Sequence, residues 1–194
     1  MTPIPYYVWE TNSQGGFATL LALENVEDSY ELKRGCPRAN GWPADAAFRM
    51  NPSYPRQVKL ADTVRNRDSV PVASAQFHDL LFSFAPADTE FLPVTIYNHK
   101  GRVASDAYVV VNPYRVVDCI DREASDLMWN EIDPELISGC FRLVLDPARL
   151  DPSLALFRPR YMPTRVLVRE DVVRAAAAAG LTGLRFTPAD EFEL

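Results

Sequence analysis

Short apolar runs broken by proline and polar turns set the rhythm of this chain, and only two stretches carry a helical period. Tyr6-Tyr7-Val8-Trp9 lies between Pro5 and the polar turn Asn12 to Gly16, which predicts a first strand. Phe17 to Leu23 is apolar with weak periodicity and fits either helix or strand. From Gly35 to Tyr54 the residues Pro37, Gly41, Pro43 and Pro52, followed by Pro55, leave little room for a regular element. Trp42, inside that stretch, reads as an aromatic that pins it to the core.

Val70-Pro71-Val72 predicts a short strand, and Ser74 is placed to cap a helix because its hydroxyl can accept from first-turn amides. Phe77, Leu80, Leu81 and Phe84 then recur at i, i+3, i+4 and i+7, the apolar face of a helix from about Ala75 to Phe84, ended by Pro86. Phe91 to Tyr97 predicts a strand, and Asn98 to Gly101 a turn. Tyr108 to Val111 is the strand around which the chain is organised. Asn112-Pro113 should break it, with Val116-Val117 resuming an extended path toward Asp118 and Asp121. Further strands are expected at Phe141–Leu145, Arg165–Val168 and Gly183–Phe186, with a helix over Val172–Ala179 stopped by Gly180.

Two segments therefore read strand, helix, strand, with Val72 opposite Val168 and Phe77 opposite Val173 when overlaid. The alanine run 175–179 suits close packing on a sheet. The pattern predicts an α+β fold: a short-stranded mixed or antiparallel sheet with a few helices packed on it. At 194 residues we expect a single domain, with a smaller loop-rich N-terminal lobe over 1–68 and an α+β core over 69–194.

Composition narrows the function. The chain is 47% hydrophobic and 24% charged, so it should fold, and sixteen prolines argue against a helical bundle. A net charge of −6 argues against direct binding of nucleic acid, which needs Lys and Arg to displace counterions. Residues 33–67 run against that trend, with eight bases against Asp45 and Asp62; scattered solvated charges are the simplest reading. Cys36, Cys119 and Cys140 lack metal spacing and read as free thiols in a reducing compartment. The first basic residue is Lys33, unlike a secretory signal, and no apolar run approaches the ~20 residues of a membrane helix. A soluble cytoplasmic protein, without membrane contact, is expected.

Candidate chemistry centres on one acidic stretch. Asp118, Asp121, Glu123, Asp126, Glu131, Asp133 and Glu135 face only Arg122 as a base. The stretch has no glycine where a calcium loop needs one, and neither His78 nor His99 has zinc-helix spacing. His78 is expected at the edge of the helix's apolar face, and His99 in a turn. No glycine-rich loop precedes a helix to cradle a phosphate. We expect no metal, cofactor or catalytic residues. The acidic edge reads as a solvated or partner-facing surface formed by Asp118, Asp121, Glu123, Asp126 and Glu131, with Trp129 as an aromatic anchor. Two other readings stay open: a small hydrolase using carboxylates or a bound cation, and a structural or regulatory module that forms a homodimer through a strand edge.

One further observation orders these readings. Gly41-Trp42-Pro43-Ala44-Asp45, Leu60-Ala61-Asp62, Val70 to Ser74 and Phe91-Leu92-Pro93-Val94 occur in that order. They are followed by Tyr108 to Asn112, Asp118, Asp121 and Ser125, then Leu156-Phe157-Arg158 and Gly180 to Phe186. In order and spacing they resemble the immunity protein eleven family of bacterial polymorphic-toxin immunity proteins, over roughly residues 40 to 187. Ala61 and Ala75 depart from that pattern, the second removing a capping-box partner. The resemblance implies a protein that binds and neutralises a cognate toxin in the producing cell, and it implies no catalytic residues.

Overall fold

The computed structural model describes residues 5–12 and 15–194, so Ser13 and Gln14 of the first expected turn lie outside the described residues. In chain order the regular elements are β1 (Tyr6–Thr11), β2 (Ala47–Arg49), β3 (Val72–Ser74), α1 (Ala75–Ser83), β4 (Thr89–Tyr97) and β5 (Val103–Pro113). There follow β6 (Val116–Val117), β7 (Asp126–Trp129), β8 (Ile137–Arg142), β9 (Leu156–Pro159), β10 (Leu167–Arg169), α2 (Glu170–Ala178) and β11 (Leu184–Pro188). The strands form a four-stranded sheet ordered β2-β4-β5-β3, a five-stranded sheet ordered β11-β1-β10-β9-β6, and the hairpin β7-β8. Both larger sheets are mixed, since β2 joins β4 and β6 joins β9 in parallel. The protein is α+β, as its pattern predicts. Strands from the first 68 residues are built into both sheets: β1 lies between β10 and β11, and β2 pairs with β4.

The two strand-helix-strand units share one geometry. In each, a nine-residue helix links two strands that flank a third running the opposite way: β3-α1-β4 around β5, and β10-α2-β11 around β1. Corresponding contacts recur. Ser74 pairs with Tyr108 where Arg169 pairs with Tyr6, and the Val111 and Trp9 amides donate to Pro71 and Val166, both at 2.9 Å. Tyr108 donates its hydroxyl to the Ala61 carbonyl at 2.8 Å, as Tyr6 does to Leu154 at 2.9 Å, and burial pushes both phenols up to about 12. Phe77 and Val172 are the third residues of their helices and fully buried, so the overlay expected from sequence is one residue out of step. The middle strand follows its flanking pair in the first unit and precedes it in the second, which is why the likeness is faint in the sequence.

The helices α1 and α2 touch each other, and the apolar faces of both units meet around Trp9, Phe77, Leu81, Val111, Val168 and Val172. Period-2 alternation sends neighbouring residues of β5 and β1 to opposite sides. Tyr108 and Val110 therefore join Leu20, Leu32, Phe48 and Met50 in a second core, beneath the N-terminal segment. Tyr6 and Val8 join a third, roofed by Cys119, Ile120, Ile137, Cys140 and Leu143. That roof carries the acidic stretch.

Several expectations need correcting. Residues 17–23 are neither helix nor strand: Phe17 and Leu20 make isolated bridges to Lys59, Met50 and Asn66. The 35–54 stretch contains β2, because Phe48 is buried beside β4 despite the surrounding prolines. Trp42 does pin it, donating its indole N–H to the Pro93 carbonyl at 2.8 Å. Strand β5 runs through Asn112-Pro113 instead of breaking there; a proline is tolerated because it is the strand's last residue, paired with Thr89. The expected strand at 141–145 is β8, which begins at Ile137 and ends at Arg142. Of the alanine run, Ala176 is buried while Ala177, Ala178 and Ala179 face solvent.

Candidate functional site

The acidic stretch begins where Cys119 and Ile120, both buried, plug the third core. Asp121 then turns the chain outward. Its amide donates to the Val144 carbonyl at 2.9 Å, while its Oδ1 accepts from the amides of Glu123 and Ala124 at 3.1 and 3.0 Å. Ser125 closes the turn, its hydroxyl accepting from the Val144 amide at 2.9 Å and donating to the Val144 carbonyl at 3.2 Å. This is the local logic of an Asx turn. It leaves Arg122, Glu123 and Ala124 in solvent. Asp118, half-buried, accepts from the Tyr161 hydroxyl at 3.3 Å and faces Arg149 at 3.6 Å and Arg160 at 4.0 Å.

The β7-β8 hairpin comes next. Leu127, Ile137 and Cys140 point inward to the core. Met128 lies across Gly139, where an added Cβ would meet it at 3.2 Å, and stands with Phe141 on the outer side, 53% and 59% exposed. The connecting turn is held by hydrogen bonds. Asn130 Oδ1 accepts from the amides of Ile132 and Asp133 at 2.8 and 2.9 Å, and Asp133 accepts from those of Glu135 and Leu136. At its apex Ile132 is 96% exposed. Trp129, 36% exposed, meets the Tyr161 ring edge-on at 5.4 Å, and the Arg122 guanidinium lies over both rings and donates to the Tyr161 hydroxyl.

The six residues expected at a partner surface thus fall into three kinds. Asp118 is committed to two arginines and a tyrosine, and Asp121 to its turn. Glu123, Asp126 and Glu131 are exposed and form no ion pair among the described residues. Trp129 is braced from below by Tyr161. Sequence reasoning passed over Met128, Ile132 and Phe141; the signal available was Ile132 alone between Glu131 and Asp133, an apolar residue set in a polar turn.

The histidines lie on other elements. His78, on α1, meets Asp79 at 3.0 Å and packs its ring against Phe82 and Phe91, a boundary position as expected. His99 sits in the β4-β5 turn with both ring nitrogens buried and without a hydrogen-bond partner among the described residues. Among the described residues no group of three or more His, Cys, Asp or Glu is arranged to hold a metal ion. No helix among them is long and apolar enough to cross a membrane.

Comparison with known proteins places the chain among immunity proteins. The sequence model of the Immunity protein family (Imm11) matches residues 3–191, nearly the whole chain, and the chain belongs to that family. No curated protein matches it. The role that membership supports is immunity, and the partner it implies is a toxin.

Many residues that carry the resemblance prove to be structural. Asp62, Ser74 and Thr182 converge from three distant segments: Asp62 accepts from the Ser74 hydroxyl at 2.7 Å and from the Thr182 amide and hydroxyl, both at 2.8 Å. Ser74 also accepts from the Phe77 amide at 3.2 Å, the predicted cap. Burial alone would raise the Asp62 carboxyl, but its hydrogen bonds from Thr182 and Ser74 prevail and hold it below its ordinary value. Gly183 packs so closely that a Cβ there would lie 2.3 Å from the Thr63 carbonyl oxygen.

Proposed function

We propose that this protein neutralises its toxin by binding it, without catalysis, through the outer side of the β7-β8 hairpin and the turn before it. The observation that carries this reading is the exposure of Met128, Trp129, Ile132 and Phe141 on one small, hydrogen-bonded element roofing a core. Large apolar side chains surrounded by charge are the anatomy of a protein contact, in which a desolvated centre supplies affinity and a polar rim supplies orientation. Here the rim is acidic: Glu123, Asp126 and Glu131 are exposed and have no ion pair among the described residues, which leaves them open to cations of a partner. A toxin with a basic groove, such as a nuclease, fits that rim. Asp118 and Asp121 act behind it by holding the turn that presents Glu123.

The test is a charge-reversed triple variant, Glu123→Lys, Asp126→Lys and Glu131→Lys, titrated against the cognate toxin across a salt series. Affinity should fall, and the affinity that remains should depend less on salt. Unchanged affinity with an unchanged salt slope would remove this face from the contact. The toxin itself can be sought as the protein that co-purifies with this chain and whose toxicity the chain suppresses.

A further inference from the structure

Tyr161 belongs to the turn after β9, outside both the acidic stretch and the hairpin, and is 2% exposed. That turn is fixed to the sheet beneath it. The Arg160 amide donates to the Val117 carbonyl at 2.9 Å, the Met162 amide to Pro159 at 3.1 Å, and the buried Arg158 reaches the Pro163 carbonyl at 2.6 Å. From this base the turn grips the hairpin at three points. The Tyr161 carbonyl accepts from the Ile137 amide at 2.9 Å, and Ile137 is the residue paired with Trp129 across β7 and β8. The Tyr161 ring meets the Trp129 ring edge-on, at 5.4 Å and 76°. Arg160 meets Glu135, in the connection between β7 and β8, at 3.2 Å.

The Tyr161 side chain also decides where a charge goes. Arg122 is the one base between Asp118 and Glu135. Paired with Glu123 or Asp126 it would occupy a carboxylate of the rim. Instead its guanidinium lies 4.1 Å from the Tyr161 ring centroid and 5.5 Å from that of Trp129, and it donates to the Tyr161 hydroxyl. It forms no ion pair among the described residues. A hydroxyl has one proton to donate and two lone pairs that accept. Here it accepts from Arg122 and donates to Asp118 Oδ2 at 3.3 Å. The ring faces attract the cation and the hydroxyl gives it a direction.

Ordering a large side chain on association weakens binding, and one already set in the free protein is spared that cost. We propose that Tyr161 is the positioning residue of the toxin-binding face, a role that rests on the hairpin being the toxin contact. Buried, and without touching the toxin, it pre-sets Trp129 as an anchor and keeps Arg122 from pairing with the carboxylates that the toxin's cations are to meet.

The test compares Tyr161→Phe with Tyr6→Phe, which removes a hydroxyl from the same core whose partners are the Leu154 and Asp151 carbonyls. In the free chain, followed by NMR, Tyr161→Phe should shift the Arg122 Nε–H and Trp129 indole N–H signals and leave the Trp42 indole, bonded to the Pro93 carbonyl, in place. Tyr6→Phe should move neither Arg122 nor Trp129. Titrated with the cognate toxin, Tyr161→Phe should weaken binding roughly 3- to 10-fold, the effect of one surface side chain left to be ordered on association. The salt dependence of that binding should also fall, as Arg122 turns to the rim carboxylates. Tyr6→Phe should bind as the parent does. In an Arg122→Gln background, Tyr161→Phe should cost little further affinity, because the hydroxyl acts through Arg122. Unmoved Arg122 and Trp129 signals, or parent-like toxin binding by Tyr161→Phe while the Glu123→Lys, Asp126→Lys and Glu131→Lys triple variant is weakened, overturn the positioning role alone. A triple variant that binds as the parent does removes the face itself, and this role with it. Equal losses in Tyr6→Phe and Tyr161→Phe would show that Tyr161 contributes only to stability, which also overturns the proposal.

Discussion

Arg158 shows how far a single side chain can reach across this molecule. It is 1% exposed and meets no carboxylate among the described residues; instead Nε donates to the Pro113 carbonyl at 2.7 Å, Nη1 to Pro163 at 2.6 Å and Nη2 to Leu32 at 2.8 Å. Burial lowers its pKa to about 10, which still leaves it charged at neutral pH. Gly35, at φ 70°, packs against its stem. Arg158→Met strips three carbonyls, two of them in buried hydrogen bonds, of their donor and should cost on the order of 3–5 kcal/mol, read as a fall in the urea midpoint. Arg158→Lys should recover only part, because a compact ammonium cannot span the three acceptors. Asp62 acts similarly but titrates. Its folded carboxyl lies below 3.8, so the folded state binds fewer protons than the unfolded one near that pH. The resulting stability is complete above 3.8 and lost as pH falls through the folded value. Asp62→Asn should therefore lower stability at neutral pH by about 1–2 kcal/mol and flatten the acid limb of the stability curve. A limb identical to that of the unmodified protein would show that other carboxylates, such as Asp171, which the Arg169 side chain holds low, dominate it.

At the scale of an element, the β7-β8 hairpin joins two roles that mutation can separate. Its inward residues seal a core, whereas Ile132 at its tip stands in solvent. Ile132→Ser should change unfolding free energy by less than about 0.5 kcal/mol, as exposed substitutions usually do, while weakening the toxin complex. Ile137→Ala, 8% exposed on the inner side, should do the reverse and cost about 2–4 kcal/mol in stability. If Ile132→Ser binds toxin as tightly as the parent, the hairpin tip is not an anchor. The helices offer a contrast: α1 relies on the Ser74 cap, whereas Arg169 at the N-cap of α2 makes no side-chain cap bond and Glu170 and Asp171 fill its first turn instead.

Across the whole molecule, stability should be graded from centre to edge. Middle strands β5 and β1 are hydrogen-bonded on both sides and lie between cores, so their amides should exchange most slowly. The hairpin, paired only with itself as a sheet, should exchange faster by sub-global opening; protection in the hairpin equal to that in β5 would contradict this layering. Much of the fold was legible beforehand. Apolar runs and the 3.6-residue period located β1, α1, β4, β5 and α2, because local periodicity records which face of an element is buried, and Ser74 and Gly180 marked helix ends for equally local reasons. Pairing was not legible. Strand β2 is short and is defined by the distant β4, β9 is fixed between the nearby β10 and the distant β6, and the likeness of the two units is hidden by the different place of the middle strand. The acidic stretch could be counted from its residues, yet separating Asp118 and Asp121, already engaged by partners within the chain, from Glu123, Asp126 and Glu131 required the fold. Charge is a property of residues; whether a charge is already answered depends on which distant arginine, amide or tyrosine the folded chain brings beside it.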